Sequence, residues 1–82
     1  MSERTVRIQL REMWQTLLPG ECFEDTTTFH EAGGSSLTLM RLFMQSKKVF
    51  DVKLEISQYP QLQTIEQQAH FILAAQGGAA HA

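Results

Sequence analysis

Residues 33–50 read GGSSLTLMRLFMQSKKVF, and this stretch decides the fold. Two glycines and two serines precede a long run of helix-compatible residues. This order is typical of a helix start, because glycine makes the backbone flexible and a serine hydroxyl bonds the free amides of the first turn. At helical spacing, one broad apolar face is formed by Leu39, Leu42, Phe43, Val49 and Phe50.

A second apolar group falls on nearly the opposite side of this predicted helix, flanked by basic residues. A helix docked on one side of a small bundle needs only one apolar stripe. Two interpretations stay open: the helix is buried nearly all round, or the second group is exposed and contacts a partner. Methionines suit a surface that accepts several partners. The predicted partner interface consists of Leu37, Met40, Arg41, Met44 and Lys48.

The same spacing predicts a helix on either side of the central one. In residues 2–18 the stripe is Val6, Leu10, Met13, Trp14 and Leu17, with Ser2 as the cap and Pro19-Gly20 as the end. In the last helix the stripe is Ile65, Ala69, Ile72 and Leu73, with a Thr64–Gln67 capping box before it and Gly77-Gly78 at its end.

The segments between these helices lack a sustained helical period. Residues 19–34 are predicted to form a long loop pinned by Phe23 and Phe29, and residues 52–56 an extended connector. Pro60 is expected to limit a third helix to about one turn. The sequence therefore predicts an all-α, four-helix fold with a long first loop and a short third helix. We expect one domain over residues 1–76 and a flexible tail over residues 77–82.

Composition excludes several classes of function. The 82 residues carry a net charge of −2, so binding to nucleic acid has no electrostatic support. Cys22 is the single cysteine and the three histidines lack metal-ligand spacing, so neither a disulfide nor a metal site is expected. No apolar run is long enough to cross a bilayer or to form a signal peptide, which predicts a cytoplasmic protein without membrane contact.

Ser36 is the residue with the most chemical interest, although a helix cap could also explain either serine. Ser36 is a poor nucleophile, because Leu37 stands where a Gly-x-Ser-x-Gly elbow has its last glycine and no base is identifiable. No catalytic residue is therefore expected. A phosphodiester attached to Ser36 would fit better, since the helix amides and dipole favour an anion there.

Residues 29–37, FHEAGGSSL, resemble the phosphopantetheine attachment motif of carrier proteins from nonribosomal peptide and polyketide synthases. The match continues through Arg41-Leu42, residues 50–54 and Thr64-Ile65. The chain departs from the family pattern at His30, Ala32, Asp51, Tyr59-Pro60, Gln63 and Gln68; at Gln68 the family usually has leucine.

The resemblance implies a carrier bundle with a 4′-phosphopantetheine arm on Ser36, in the motif context of Gly33, Gly34 and Ser35. A phosphopantetheinyl transferase would add the arm from coenzyme A. The arm's thiol would hold an aminoacyl or acyl unit as a thioester, and the carrier itself would not be a catalyst. The implied partners are an adenylation or other loading enzyme and downstream condensation, acyltransferase or dehydrogenase enzymes.

The charge of the central helix favours one subfamily. From residue 32 to residue 50 the chain has Arg41, Lys47 and Lys48 and no acid, whereas the carriers of dissociated fatty-acid synthases have an acidic helix here. A carrier of the peptidyl type, with an amino acid as cargo, is therefore expected. Because the sequence opens at Met1 and ends in a short tail, we expect this carrier to be free-standing, and we expect it to be a monomer. The competing hypothesis is a small helical interaction adaptor without a covalent cofactor, which holds only if Ser36 is never modified.

Overall fold

The computed structural model describes the backbone of residues 2–81 and the side-chain surroundings of residues 2–76. The helices are α1 (Glu3–Leu17), α2 (Ser36–Phe50), a 3₁₀ helix (Ile56–Gln61) and α3 (Ile65–His81). The described residues contain no strand, and α1 packs against both α2 and α3. This architecture confirms the predicted all-α fold, with its long first loop and short third helix. None of the helices within residues 2–81 is long and apolar enough to cross a membrane.

The core lies where the inner faces of the three α-helices meet. Its helical members are Val6, Leu10, Met13, Trp14, Leu39, Leu42, Phe43, Phe50, Ile65, Ala69 and Ile72. The first loop adds Phe29 and Ala32, and the extended connector before the 3₁₀ helix adds Val52 and Leu54. The predicted apolar stripes are therefore largely the buried ones: Leu17 and Leu73 at the helix ends are only partly buried, and Val49 of α2 is exposed.

Side-chain caps fix where the outer helices begin. The Ser2 hydroxyl accepts a hydrogen bond from the Thr5 amide at 3.2 Å, as predicted for α1. At α3 the Thr64 hydroxyl accepts from the Gln67 amide at 3.0 Å. In a capping box the Gln67 side chain would accept a hydrogen bond from the Thr64 amide. Here it accepts from the amide of Gln63 instead, one residue earlier, at 2.9 Å.

Three local predictions are wrong. Val49 is 45% exposed and Ser46 is buried instead, because the Ser46 hydroxyl bonds the Leu42 carbonyl at 3.0 Å and needs no water. Pro60 lies inside a six-residue 3₁₀ helix, so it does not limit that helix to one turn.

The third concerns the end of α3, which continues to His81 past Gly77-Gly78. A glycine in a helix costs about 1 kcal/mol but keeps its amide donor, so it weakens a helix without ending it. The domain boundary at residue 76 and the flexibility of residues 77–82 stay predictions; Ala82 and the side chains beyond residue 76 lie outside the described residues.

A polar bridge crosses the core and joins α1 to α3. The Trp14 indole N–H donates to Gln68 Oε1 at 3.2 Å, and Gln68 Nε2 donates to the Leu62 carbonyl at 2.8 Å. The side chains of Trp14 and Gln68 are fully buried, and both the oxygen and the nitrogen of the Gln68 side-chain amide have a hydrogen-bond partner. This explains how a glutamine is tolerated where the carrier family usually has leucine. The Trp14 ring also meets Phe29 edge-on, with ring centroids 5.0 Å apart, which attaches the first loop to the core.

Asp25 anchors the first loop to both outer helices. Its carboxylate accepts hydrogen bonds from Arg7, at 3.0 Å, and from Arg11, while its carbonyl accepts from the Glu66 amide at 3.1 Å. Desolvation alone would raise the pKa of Asp25, but the hydrogen bonds and positive charges of Arg11 and Arg7 outweigh it and lower the pKa below its usual value. Ionised Asp25 therefore stabilises the folded chain.

We expect Asp25→Asn to lower the free energy of unfolding at pH 7 by about 1–2 kcal/mol, since it removes charge-assisted bonds that are partly open to solvent. A carboxyl with a lowered folded pKa contributes stability above its unfolded pKa, near 3.8, and that contribution is lost as the pH falls through the folded pKa. The difference between wild type and variant should thus vanish under strongly acidic conditions. Denaturant unfolding across pH measures it.

Glu24→Gln is the matched control for Asp25→Asn. Glu24 is the exposed neighbour, and its backbone amide rather than its carboxylate makes the local bond, to Thr27 at 2.9 Å. Replacing the Glu24 carboxylate by an amide should change the free energy of unfolding by less than about 0.5 kcal/mol. Equal losses in the two variants, or a difference independent of pH, would contradict the anchoring role of Asp25.

Candidate functional site

A tight turn over residues 28–34 connects the first loop to α2. The amide and the hydroxyl of Thr28 both donate to the Glu31 carboxylate at 3.0 Å, and the Glu31 amide donates back to the Thr28 hydroxyl at 3.1 Å. The backbone bond from Thr28, followed by its side-chain bond, lowers the pKa of Glu31 below its usual value. One residue on, the Phe29 amide donates to the Gln63 carbonyl at 2.7 Å, which fixes the turn beside the start of α3.

Gly33 and Gly34 are required for different physical reasons. Gly33 has φ +94°, a left-handed conformation that side chains disfavour, although a Cβ there would have ordinary contacts. Gly34 donates its amide to the Phe29 carbonyl at 2.8 Å. A Cβ on Gly34 would collide with the ring of Phe29 and lie 2.8 Å from its carbonyl oxygen. The second glycine is therefore needed for space.

The two serines that follow have separate roles. Ser35 is the N-cap of α2: its hydroxyl accepts from the Thr38 amide at 3.3 Å, and its own amide donates to the Thr38 hydroxyl at 2.8 Å. Ser36 is the first residue of α2 and is exposed. The capping bonds involve Ser35 and Thr38 and leave the Ser36 hydroxyl out. The structure thus assigns the cap to Ser35 and leaves Ser36 as the serine with an accessible side chain. The sequence alone did not decide which serine caps the helix.

An open cleft of about 640 Å³ adjoins Ser36, between the start of α2 and the 3₁₀ helix. Its lining is Phe29, His30, Gly34, Ser35, Ser36, Leu39, Ile56, Tyr59 and Pro60. Sequence analysis did not place His30, Ile56, Tyr59 and Pro60 at the site, and no local signal could have done so for the last three, which lie at least 20 residues from Ser36. His30 is the one imidazole of the lining, and the lining holds no carboxylate that could orient it as the base of a Ser-His-acid triad with Ser36. Among the described residues, no cluster of three or more His, Cys, Asp or Glu side chains could hold a metal ion.

These surroundings fit a covalently attached phosphodiester. The Thr38 amide is bonded to Ser35, whereas the amides of Ser36 and Leu37, at the start of the helix, have no carbonyl of a preceding turn to bond. Amides in this position and the positive end of the helix dipole favour an anion. The hydroxyl is exposed and the cleft beside it is open, so a modifying enzyme has access to Ser36.

The second apolar group of α2 lies on the surface. Leu37, Met40 and Met44 are 61%, 51% and 63% exposed, and Arg41 and Lys48 beside them are exposed as well. The interpretation of a helix buried nearly all round is therefore wrong. The five residues predicted as a partner interface are all accessible, and their binding role stays a prediction.

Comparison with known proteins agrees with this geometry. Residues 9–72 match the family described as "Phosphopantetheine attachment site". The non-canonical nonribosomal peptide synthetase cpsA of Aspergillus campestris (strain IBT 28561) is 36% identical over 73 residues, which are 87% of this chain and 7% of that protein. No solved structure matches the chain significantly. The chain belongs to the phosphopantetheine attachment-site family, whose carrier domains hold a covalently attached 4′-phosphopantetheine.

Proposed function

We propose that Ser36 carries the arm and that the chain carries an aminoacyl or acyl intermediate as a thioester on the arm's thiol. The observation that carries this proposal is the exposed Ser36 hydroxyl on the first residue of α2, left free because Ser35 makes the cap. In the loading reaction Ser36 Oγ forms a bond to the phosphorus that bears the pantetheine, while the pyrophosphate bond of coenzyme A breaks and adenosine 3′,5′-bisphosphate leaves. The proton of the hydroxyl passes to a base of the transferase.

The chain's own residues position the serine and do no chemistry. Helix α2 holds Ser36 rigidly through the Ser35–Thr38 cap, and Gly34 lets the preceding turn lie against Phe29. The cleft holds His30 but no carboxylate that could complete a triad with Ser36, and the proposal therefore assigns loading to a phosphopantetheinyl transferase. The carrier is thus a substrate of its partners and not an enzyme.

The similarity to a nonribosomal peptide synthetase and the basic α2 support an amino acid as the cargo and a peptide or polyketide pathway as the setting. An adenylation or other loading enzyme would form the thioester. Condensation, acyltransferase or dehydrogenase enzymes would then receive the cargo from a cytoplasmic, monomeric carrier. The chain spans a small part of its synthetase relative, so these partners are part of the proposal.

Loading from coenzyme A tests the proposal. The protein is incubated with coenzyme A and a broad-specificity phosphopantetheinyl transferase, and its intact mass is recorded. We expect a gain of one phosphopantetheine per chain, and a new thiol that then accepts an acyl group. An unchanged mass, with a transferase that modifies a known carrier in the same tube, would favour an interaction adaptor whose exposed α2 face binds partners without a cofactor.

A further inference from the structure

A groove lies between the C-terminal half of α2 and the segment that follows it. Its volume is about 560 Å³. Phe43 and Leu54 are buried and form its floor, whereas Met40, Met44 and Ile56 are about half exposed and form its walls. Lys47, Lys48 and Lys53 line the remaining edge, and we call this feature the lysine-rimmed groove.

The lysine-rimmed groove has the opposite charge to the rest of the chain. Helix α2 contains three cations and no acid, while the remaining residues hold four cations and nine acids. Lys47 pairs with Asp51 at 2.8 Å and Lys53 with Glu55 at 3.6 Å, and all four side chains are exposed. Lys48 forms no ion pair within residues 2–76, so the rim keeps a positive charge available to a partner.

We propose that the lysine-rimmed groove binds a partner protein through an apolar side chain flanked by carboxylates. The apolar floor and walls would receive the side chain, and the lysine stems would add apolar contact while their ammonium groups meet the carboxylates. The inference rests on the proposed function, since the partner is an enzyme that exchanges cargo with the carrier. Met44 lies eight residues after Ser36, about 12 Å along the helix, so one docked enzyme could cover both.

The charges of the chain and the shape of the groove favour such a partner over a second copy of the chain. The acidic segment of this chain is its first loop, with Glu21, Glu24 and Glu31 exposed. The aromatic residues of that loop cannot serve as the inserted side chain, because Phe29 is buried and Phe23 packs on Trp14 with ring centroids 5.2 Å apart. A concave groove with a buried floor also suits a protruding side chain better than a flat lipid surface.

Three helical peptides of equal length serve as probes, each with leucine and phenylalanine at positions i and i+4. The flanking residues are glutamate, lysine or serine. We measure binding by titration calorimetry and by amide shifts in the isotope-labelled full chain. The glutamate peptide should bind about threefold more tightly than the serine peptide at low salt, since Lys48 is the rim charge without an ion pair within residues 2–76 and one exposed pair contributes a few-fold. The shifts should centre on Met40, Met44 and Ile56, and added salt should weaken binding.

Variants then locate the binding site. Met44→Glu should abolish glutamate-peptide binding, and Lys48→Glu should remove its advantage over the serine peptide. Ile8→Glu is the matched control, because Ile8 is 53% exposed but lies on α1, and it should bind as the wild type does. Circular dichroism melting should show all three variants folded, as expected for exposed positions.

Each other result overturns the proposal. Absence of binding by all three peptides, or equal binding by the glutamate and lysine peptides, would exclude recognition of an acidic partner. Binding to phosphatidylglycerol vesicles that Met44→Glu removes would assign the groove to a membrane, and Met44-dependent dimers in sedimentation would assign it to a second copy. Loading from coenzyme A is measured on the same samples. If the chain is loaded but fails the binding tests, the proposed role of the groove is rejected and the proposed carrier function is kept.

Discussion

The Ser36→Ala protein is expected to gain no phosphopantetheine from coenzyme A, while the wild type gains one group per chain. The arm is attached through a covalent bond to the serine oxygen, and the variant lacks the hydroxyl that, of the two serines Ser35 and Ser36, takes no part in the α2 cap. Intact mass after prolonged incubation with the transferase measures the loss. Because Ser36 is exposed and makes no capping bond, the variant should melt within a few degrees of the wild type, so misfolding would not explain the result.

Ser35→Ala is the matched control, one residue away in the same motif. This variant should still gain one phosphopantetheine per chain. It loses the cap that bonds the Thr38 amide, which costs about 1 kcal/mol and lowers the melting temperature by about 4–8 °C. The two substitutions should therefore have opposite profiles: one removes loading and keeps stability, the other keeps loading and lowers stability. Loading of Ser36→Ala would contradict attachment at Ser36, and together with loss of loading in Ser35→Ala it would assign the arm to Ser35.

Sequence reasoning predicted the features that depend on residues near one another in the chain. The Ser2 cap and the buried stripe of α1 follow from spacings of three and four residues, and the structure contains both. Ser36 could be singled out because residues 29–37 resemble the phosphopantetheine attachment motif, whereas the glycines and serines alone would also fit an ordinary helix start. Sequence alone could not separate the Ser35 cap from the free Ser36 hydroxyl, because that distinction depends on which side chain turns toward Thr38.

Features that depend on distant contacts could not be predicted. Tyr59 and Pro60 reach the cleft beside Ser36 only because the connector brings the 3₁₀ helix back to the start of α2. Gln68 is buried because Trp14, 54 residues earlier, supplies a donor for its carbonyl oxygen. Ser46 takes an inner position of α2 because its hydroxyl is satisfied by its own helix. For the cleft and for Gln68 a partner far away in the sequence decides the outcome, whereas for Ser46 the partner is local, but apolar periodicity does not register a hydroxyl that bonds the carbonyl four residues earlier.

Gly34→Ala is expected to lower the free energy of unfolding by about 3 kcal/mol, which for a domain of this size lowers the melting temperature by more than 10 °C. The added methyl group would collide with the ring of Phe29, which is buried to 1% exposure and meets Trp14 edge-on. The ring must therefore move away from its contact with Trp14 or push the turn away from the core. Trp14 fluorescence should change with stability, because Phe29 packs on the indole.

Gly33→Ala separates this steric effect from the general cost of losing a glycine. At Gly33 the nearest atom to an added methyl group is a Glu21 side-chain atom at 3.7 Å, so only the left-handed backbone is penalised, by about 1–2 kcal/mol. Gly34→Ala should therefore be the more damaging change, although Gly33 is the residue with the unusual backbone. If Gly33→Ala were the worse of the two, the contact between Gly34 and Phe29 would not be what holds the attachment turn against the core. Ser36 would then owe its position to the backbone of the turn rather than to its packing.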